Sequence, residues 1–316
     1  MTKIKAPLFS LDAAGTLDKN ITYKKKSQNN IAQKYATPGS KNPFESSPRQ
    51  KDQRSIIRLI TIHWQCMAAI DKLAWENAAK DARFKGTGYH YFLHLAQTNL
   101  TQYLGLVGYW SMNYNIGDKI PDLSGNGNHG TLSPIYPCDS PTLVDSFDKK
   151  HGKAAKFDGT NDYINISDSS IFELSLPFSI MLYCSPLIKV TSSAYTLRKD
   201  SNFASFISPG NDLLAGYNDG ISWRFSYSGY SPPPSIYFHL TLTFVQNLLN
   251  TDLTFFINGL KYGITHTGVG HPFVTSSFLQ IGSDSYAGQL FKGLLDDIII
   301  FNRELSESFI KKYVLS

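Results

Sequence analysis

The sequence is poor in cysteine and in charge, and it contains no long apolar run. Of its 316 residues only 3 are cysteine and 17% are charged, and no two cysteines form a CxxC pair. Neither a disulfide framework nor a cysteine-based zinc site is indicated; free thiols are expected, and a Cys138–Cys184 bridge stays open. No run of about 18 apolar residues occurs, so no membrane-spanning helix is predicted. The N-terminus lacks the apolar segment of a secretory signal, and we expect no Sec-type export.

The formal net charge of +5 conceals two regions of opposite sign. Residues 1–100 contain 16 Lys and Arg against 7 Asp and Glu, whereas residues 101–316 contain 14 against 18. Clustered basic residues suit either nucleic acid or an acidic protein surface. Because the basic region has no zinc-finger, homeodomain or RNP pattern, we favour a protein surface and disfavour nucleic acid.

The basic region divides into an extended arm, residues 1–44, and a small helical docking module, residues 45–103. The arm contains prolines and a polar run, and it is typical of an extended chain or short hairpin without a core of its own. Pro48 suits the first position of a helix. The residues that follow predict one amphipathic helix, and shorter helices are predicted over 71–82 and 89–100. The apolar positions of the first helix are Ile56, Ile57, Ile60, Trp64 and Met67.

The arm and the module together resemble a known kind of assembly protein. A small-Gly-Thr-hydrophobic stretch, a basic hairpin, the string NPF, a tryptophan-containing helix and the string DKLAWENAAKD follow one another over residues 6–95. This order is similar to a module of phage-type virion structural proteins. The resemblance implies attachment to a virion, with other virion proteins or further copies of the chain as partners. The basic residues expected to make this attachment are Lys24, Lys25, Lys26, Arg49, Arg54 and Arg58.

From residue 104 onward the sequence consists of short β-branched and aromatic runs separated by turn residues. Strings such as FSIMLYCS, IYFHLTLTFV and GLLDDIIIFN suit strands, several of them with a period of two. Asn258-Gly259, between two such runs, is a strong hairpin signal. The pattern predicts a mainly β fold, an antiparallel two-sheet jelly-roll sandwich, as one domain over residues 104–316.

Seven of these strings occur in the order typical of one domain family. They include LVGYWSM, IPDLSGNGNHGTL, GKAAKFDGTNDYINI and FKGLLDDIIIFNREL, and the set spans residues 106–314. In this order they resemble laminin-G-like, concanavalin-A-like jelly-roll domains. The resemblance implies a glycan-binding or adhesion module that often carries one structural calcium ion.

Two strings supply the calcium ligands that this resemblance implies. The loop DLSGNGNHG crowds carboxylate and carbonyl oxygens on a glycine-rich turn, which a hard cation can use, although the same residues are ordinary turn formers. In GLLDDIIIF, strand alternation sends Asp296 and Asp297 to opposite faces, so only one of them is expected to face an ion. The candidate ligands are Asp122, Gly125, Asn126, Asn128 and one of Asp296 and Asp297.

An aromatic-rich stretch contains the candidate glycan site. The string GYNDGISWRFSYSGYSPPPSIY places aromatic rings beside polar side chains, and sugars bind where both converge. The alternative is that Trp223 and Phe225 alternate into the core and leave the tyrosines at its rim. The candidate glycan-binding residues are Tyr217, Asn218, Trp223, Arg224, Tyr227 and Tyr230.

Recognisable catalytic motifs are absent from the sequence. It has no GxSxG, HExxH or P-loop string, and its histidines show no metal-ligand spacing. A glycoside hydrolase needs two carboxylates about 5–10 Å apart. The only glutamates after residue 103 are Glu173, Glu304 and Glu307, and none lies in a Glu-x-Asp-x-x-Glu string. We therefore expect no enzymatic activity.

These observations favour a non-enzymatic virion structural protein, either a capsid decoration or a tail or adsorption part. The basic arm and the helical module would attach it to the particle, and the jelly roll would contact host-surface glycans. The alternative is a secreted or cell-surface carbohydrate-binding adhesin, and a glycoside hydrolase comes third. The expected location is the virion, with an extracellular or cell-surface location as the alternative. Head or tail placement, the ligand and the oligomeric state stay open.

Overall fold

A computed structural model describes most of the chain. It covers the strand backbones at 2–4, 15–18, 21–26 and 29–34, and residues 47–133, 139–147, 151–247, 250–270, 272–273, 276–284 and 288–315. Side chains are described from residue 47 onward, except at 247, 250 and 264–269. Cys138 and the side chains of Lys24, Lys25 and Lys26 lie outside the described residues. The chain divides into two compact units, Met1–Ser47 and Pro48–Ser316.

The described strands of the first unit form an antiparallel sheet. Its strands are β1 (Thr2–Ile4), β2 (Gly15–Asp18), β3 (Ile21–Lys26) and β4 (Asn29–Lys34), in the order β1-β4-β3-β2. The strand predicted over NITYKK is confirmed as β3. Backbone pairing continues from the β3–β4 hairpin to β1 on one edge and β2 on the other, so the sheet is larger than the arm or short hairpin that the sequence predicted.

The second unit begins with four helices and ends with a fifth. They are α1 (Pro48–Cys66), α2 (Ala69–Asp81), α3 (Gly88–Thr98), α4 (Leu100–Leu104) and α5 (Glu307–Leu315). Pro48 starts α1 as predicted, and the predicted second and third helices are confirmed with slightly shifted ends. None of the described helices has the length and apolar character needed to span a bilayer.

The remaining strands form two antiparallel sheets of eight strands each. The strands are β5 (Leu106–Trp110), β6 (Lys119–Ile120), β7 (Gly130–Ser133), β8 (Thr142–Asp145), β9 (Lys153–Asp158), β10 (Tyr163–Ile166), β11 (Phe178–Pro186), β12 (Ala194–Lys199), β13 (Phe203–Ile207), β14 (Leu213–Asn218), β15 (Trp223–Tyr227), β16 (Phe238–Asn247), β17 (Asn250–Ile257), β18 (Leu260–Val269), β19 (Leu279–Ile281) and β20 (Lys292–Phe301). Sheet I has the order β18-β17-β16-β11-β20-β9-β8, with β5 also paired to β20. Sheet II has the order β15-β14-β13-β12-β19-β10-β7-β6. The predicted two-sheet antiparallel sandwich is confirmed.

An apolar core fills the space between the two sheets. Alternation along β11 points Ile180 and Leu182 into it from sheet I, and Ile164 and Phe203 enter it from sheet II. Cys184 is a free thiol in this core, and burial raises its pKa. Burial of side chains from both sheets explains why the strands of this region are rich in β-branched and aromatic residues.

The predicted Asn258-Gly259 turn is confirmed between β17 and β18. Both residues have positive φ, 51° and 79°, which is the left-handed conformation that a two-residue hairpin turn requires. The turn fixes the register of the hairpin, in which Ile257 lies opposite Leu260.

The helices cover the outer face of sheet I. Ile60 of α1, Phe92 of α3 and Phe309 of α5 share one apolar cluster with Ile299 and Phe301 of this sheet. Four of the apolar positions predicted for α1 belong to this cluster, namely Ile56, Ile60, Trp64 and Met67, whereas the fifth, Ile57, is exposed. The predicted boundary between the helical module and the jelly roll falls inside the compact unit Pro48–Ser316.

Candidate binding site

The outer face of sheet II carries aromatic side chains, and the apolar cluster of the helices contains no residue of this sheet. Along β14, Ala215 and Tyr217 face the core, so Gly216 between them faces outward. Its register partner on β15 is Phe225, which therefore faces outward too, and alternation gives Trp223 the same direction. The edge of sheet II thus presents rings on its outer side.

Four rings on this face form a contiguous surface, which we call the aromatic platform: Tyr195, Phe206, Trp223 and Phe225. The Tyr195 and Phe206 rings stack with their centroids 4.7 Å apart, and Phe225 meets Phe206 edge to face at 5.1 Å. The Trp223 and Phe225 rings are parallel within 3°, with centroids 5.2 Å apart. Tyr195 and Phe206 are buried by their neighbours, whereas Trp223 and Phe225 are half-buried and keep ring surface open to solvent.

A glycine makes room for one of these rings. A Cβ atom on Gly216 would lie 2.1 Å from the backbone oxygen of Arg224 and 2.7 Å from the Phe225 ring. Both distances are far shorter than a van der Waals contact, so any side chain here would displace β15. Gly216 therefore allows the Phe225 ring to lie over the sheet.

Arg198 of β12 lies beside two rings of the platform. Its guanidinium carbon is 5.1 Å from the ring centroids of both Tyr195 and Trp223. One terminal nitrogen donates to the Asp200 carboxylate at 2.8 Å, and the other is 3.9 Å from the Asp284 carboxylate. Only 10% of the Arg198 side chain is exposed, so its charge is compensated largely by these two neighbours.

A line of polar side chains, which we call the polar row, continues from Arg198 across the sheet. Arg198 lies opposite Gln280 of β19, and Gln280 lies opposite Asn165 of β10. Arg198 Nε, Gln280 Oε1 and Asn165 Oδ1 are each buried without a hydrogen-bond partner among the described residues. Leaving a buried polar atom unpaired costs about 1–3 kcal/mol, so three such atoms in one row need a physical reason.

Comparison with known families concerns the segment that carries these residues. Residues 158–311 match the family model of the concanavalin A-like lectin/glucanases superfamily, a laminin G model. The match includes the whole aromatic platform and polar row. It supports the jelly-roll part of the predicted resemblance, and we call the jelly roll of the second unit the laminin G-like domain.

Solved structures of low sequence identity share this fold. Domain 4 of AbnA, an extracellular arabinanase from Geobacillus stearothermophilus in complex with arabinotriose, is 21% identical, with a TM-score of 0.52 over 66% of this chain and 98% of that one. The binding domain of Paraclostridial Mosquitocidal Protein 1 is 18% identical, with a TM-score of 0.52 over 66% of this chain and 52% of that one. The receptor binding domain of botulinum neurotoxin C/D mosaic serotype is 12% identical, with a TM-score of 0.51 over 67% and 51% of the two chains. No curated protein sequence matches this chain.

The laminin G-like domain brings two of the predicted glycan-binding residues to the open face. Trp223 belongs to the aromatic platform. Tyr227 lies opposite Leu214 of β14, whose side chain packs with the platform, and 66% of Tyr227 is exposed. These two residues therefore share one surface, and the alternative in which Trp223 and Phe225 point into the core is wrong.

The other predicted glycan-binding residues lie elsewhere. Tyr217 is fully buried in the core and donates its hydroxyl to the Gly270 carbonyl, so its ring offers no face to a ligand. Tyr230 packs edge to face against Phe238 at the core.

Arg224 and Asn218 are engaged at the β14–β15 turn. Arg224 pairs with the Asp219 carboxylate at 2.7 Å, and Asn218 Oδ1 accepts from the backbone of Gly220. Backbone donors from the same turn, with Arg224, lower the pKa of Asp219 to about 2. The polar groups of this turn therefore stabilise the turn by hydrogen bonds and an ion pair within it.

Sequence reasoning missed Tyr195, Arg198 and Phe206, and it did not place Phe225. A register shift between Tyr195 and Leu197 on β12 breaks the alternation, so Tyr195 and Arg198 share a face although they are three positions apart. A strict period of two would place them on opposite faces. The string FASFI on β13 did contain a signal. Its two phenylalanines are three positions apart, so strand alternation places them on opposite faces and one of them must face outward.

The predicted calcium loop is held by hydrogen bonds to Asp122. One carboxylate oxygen of Asp122 accepts from the backbones of Tyr109 and Ser124, and the other accepts from the Ser124 hydroxyl and the Asn128 backbone. The Asn126 amide ties the loop to β5 through the carbonyls of Leu106 and Val107. Four donors already point at the Asp122 carboxylate, so this set of residues does not fit a calcium ion.

The other predicted calcium ligands lie apart from that loop. Tyr109 separates the two groups, because its backbone donates to Asp122 and its hydroxyl donates to Asp297. Gly125 has a φ of 88°, and a Cβ atom added there would meet no atom of the described residues within 4 Å, its chain neighbours aside. Within the described ranges, no group of three or more His, Cys, Asp or Glu side chains could hold a metal ion.

Asp296 and Asp297 point to the same face of sheet I, and the predicted opposite orientation is wrong. Leu295 and Ile298, on either side of the pair, both face the core. A bulge opposite β11, with Asp297 at a φ of 44°, accounts for the extra residue. Both carboxylates therefore lie on the outer face, beneath the helices, with at most 4% of either residue exposed.

These two carboxylates belong to a buried polar network that joins strands and helices. Tyr109 donates its hydroxyl to Asp297 at 2.7 Å, and His151 Nδ1 is 3.0 Å from the same carboxylate. Ser146 donates to Asp296 at 2.6 Å. Burial and the Asp297 charge raise the pKa of the Tyr109 hydroxyl, which keeps it a donor. The network holds the carboxylates without contact to solvent.

The predicted docking residues on α1 differ in their surroundings. Arg49 and Arg54 are exposed. Arg58 donates to the Tyr313 backbone carbonyl, and its guanidinium lies 4.5 Å from the Tyr313 ring centroid. Arg58 therefore joins α1 to α5, and only Arg49 and Arg54 of the three offer their charge to a partner.

Proposed function

We propose that the laminin G-like domain binds carbohydrate on the outer face of sheet II. The aromatic platform is the observation that carries this proposal. A sugar ring has an apolar face that stacks on aromatic rings, and its hydroxyls need hydrogen-bonding groups beside them. Trp223 and Phe225 supply the open ring surface, and the polar row supplies unpaired polar atoms next to it.

The two amide side chains of the polar row also support carbohydrate as the ligand. Asn165 and Gln280 are half-buried side chains on the outer face. A side-chain amide carries both a donor and an acceptor, so the end that faces solvent can pair with a sugar hydroxyl whichever way the amide is turned. The fold is consistent with this use, since the similar AbnA domain was solved with arabinotriose.

Removing one of the two half-buried rings of the platform tests the proposal. We expect Trp223→Ala to weaken binding of the best polysaccharide ligand at least about tenfold, equivalent to about 1.4 kcal/mol, because the stacking surface is lost. Isothermal titration calorimetry of the intact chain measures this loss. The matched control is Tyr262→Ala, which removes a ring of 49% exposure from sheet I.

The two variants together decide the outcome. If Trp223→Ala binds as the parent does, or if Tyr262→Ala loses affinity equally, the platform is not the binding site. Near-ultraviolet circular dichroism confirms that each variant keeps its packed core.

We propose further that this binding is not accompanied by hydrolysis. The two adjacent carboxylates of the domain, Asp296 and Asp297, are buried beneath the helices on the opposite sheet from the platform. A hydrolase needs carboxylates that reach the substrate. We expect no new reducing ends after prolonged incubation with the ligand, and their steady release would contradict this proposal.

We propose for the remainder of the chain a role in attachment to a virion, as a capsid decoration or a tail or adsorption part. The support is the basic character of residues 1–100, the separate compact unit Met1–Ser47 and the resemblance to phage-type modules. Mass spectrometry of purified particles, made from the genome that encodes the chain, tests this role. Detection only in the culture medium or on the cell surface would favour the adhesin alternative instead.

A further inference from the structure

We infer that the ligand of the outer face of sheet II is an uncharged glycan chain that lies across the strands. The inference rests on the proposed carbohydrate-binding function and names the class of glycan. Two features of the face carry it: the balance of charge around Arg198, and the direction of the polar row relative to the strands.

The charge balance excludes an anionic sugar as the preferred ligand. Two arginines lie beside the platform: Arg198 is paired with two carboxylates, Asp200 and Asp284, and Arg224 is paired with Asp219. The Asp200 side chain is 25% exposed, so part of this negative charge reaches the surface where a ligand would lie. A carboxylate or sulfate on the sugar would compete with both aspartates and be repelled by them.

Two further lysines do not change this balance. Lys199, next to Arg198 in sequence, is fully buried and pairs with Asp168 at 2.9 Å. Lys119 lies on β6, at the far end of the sheet, where its ammonium contacts Thr131 and is 3.7 Å from Asp118. Neither ammonium is available to an anionic group stacked on Trp223.

The polar row sets the length and direction of the ligand. Asn165, Gln280 and Arg198 are register partners, so the row runs perpendicular to the strands. Continuing in register, it passes over Ala204 and Gly216 to Phe225. Strands lie about 4.8 Å apart, and the five intervals from β10 to β15 span about 24 Å. One sugar ring cannot reach both ends of this row, whereas an extended chain can.

The two small residues in the middle of the row let the rings lie over them. Ala204 and Gly216 are buried, and the Trp223 ring is 5.1 Å from the Arg198 guanidinium, so the aromatic surface continues from Phe225 to Arg198. A chain that stacks one ring on Trp223 or Phe225 can therefore place the hydroxyls of following rings near Gln280 and Asn165. Binding strength should rise with chain length until the row is filled.

A polysaccharide panel tests the charge part of the inference. The intact chain is titrated against neutral polymers, namely arabinan, xylan and β-glucan, and against anionic ones, namely polygalacturonate, hyaluronan and polysialic acid. We expect the tightest ligand to be neutral, with at least about tenfold preference over every anionic polymer. An anionic polymer as the tightest ligand overturns the inference while leaving carbohydrate binding intact, and absence of binding to all polymers and to their oligosaccharides overturns the proposed function itself.

Charge variants test the cause of the preference. Asp284→Asn and Asp200→Asn each remove one negative charge beside Arg198, and we expect either to reduce the preference for neutral polymers several-fold. Asp145→Asn on the exposed edge of sheet I is the matched control and should leave it unchanged. An unchanged preference in both folded variants would contradict the assigned role of the two carboxylates.

Oligosaccharides of the best polymer test the direction and length. We expect affinity to rise at least about tenfold from the monosaccharide to a chain of four or five units, and Gln280→Ala to remove most of this gain. Equal affinity of monosaccharide and longer chain would show a single-ring site and overturn the extended arrangement.

Discussion

The outer faces of the two sheets differ in what covers them and in what their polar groups do. On sheet I, helices bury the outward side chains, and the outward carboxylates Asp296 and Asp297 bind protein donors. On sheet II, the outward rings pack with one another and with Leu214 and Arg198 of the same sheet, and no helix covers them. Similar residue types thus stabilise the fold on one side and form a binding surface on the other. Cover by the helices, more than composition, distinguishes the two roles.

The largest expected effect compares one phenylalanine from each face. Phe301 of sheet I is fully buried under α5, and its ring lies 6.0 Å from that of Phe309, whereas Phe225 of sheet II is half-buried. We expect Phe301→Ala to lower the free energy of unfolding by about 3–5 kcal/mol, and Phe225→Ala by clearly less. Urea unfolding followed by tryptophan fluorescence measures both. Equal losses would show that the phenylalanine on each face contributes the same amount to the free energy of unfolding.

The buried network on sheet I gives the next largest effect. Asp297→Asn keeps the shape of the side chain but removes the charge that accepts from Tyr109 and contacts His151. We expect a loss of about 2–3 kcal/mol in unfolding free energy. Asp145→Asn, on the exposed edge of the same sheet, is the control and should change stability by less than about 0.5 kcal/mol. A neutral result for Asp297→Asn would mean that the network contributes no net stability.

The pH dependence of stability sharpens the comparison, because both histidines with strongly shifted pKa values lie on the helix-covered side. Burial, followed by the Arg303 charge, lowers the pKa of His63 to about 4, and burial lowers that of His239 to about 3. The unfolded chain binds protons at these groups below about pH 6.5, and the folded chain does not. The stability that the two neutral histidines contribute is therefore fully present above about pH 6.5. It is lost as the pH falls, by up to about 1.4 kcal/mol per pH unit for each histidine.

Single variants separate these contributions. His239→Gln should flatten the decline of unfolding free energy between about pH 6.5 and 4. Asp162 behaves with the opposite sign: burial raises its pKa to about 6, so its contribution is present below about pH 4 and is lost as the pH rises to about 6. Asp162→Asn should therefore steepen the acid decline. Parallel pH profiles for the parent and both variants would contradict these assignments.

The smallest expected effect concerns the exposed end of the platform strand. Tyr227 shares the outer face of sheet II, and 66% of it is exposed. We expect Tyr227→Ala to weaken carbohydrate binding about two- to fivefold, or about 0.4–1 kcal/mol, with no change in stability. Calorimetric titration and a thermal melt measure the two quantities. A loss as large as that of Trp223→Ala would place the centre of the site at Tyr227.

Much of the fold was predictable because strands and turns leave local signals. Alternating apolar residues and the Asn258-Gly259 turn predicted the antiparallel sandwich, and Pro48 predicted the start of α1. The division into units was not predictable from charge. The helices pack on sheet I through residues such as Ile60 and Phe92, and such long-range contacts have no local signature in the sequence.

The site was predictable only in part, because two irregularities break the period of two. The shift between Tyr195 and Leu197 brings Tyr195 and Arg198 to one face, and the bulge at Asp297 turns both aspartates outward. Trp223 and Tyr227 lie on a regular strand, and alternation from either one locates the other. Tyr217 looks equivalent in the sequence, but its strand turns it into the core.

The helices on sheet I give the second unit two broad surfaces that point in opposite directions. Stacked sheets lie about 10 Å apart, so a body held at the helices and a chain held at the platform would be separated by the thickness of the sandwich. The two would not compete for space. One molecule could then hold both at once and act as a bridge between them.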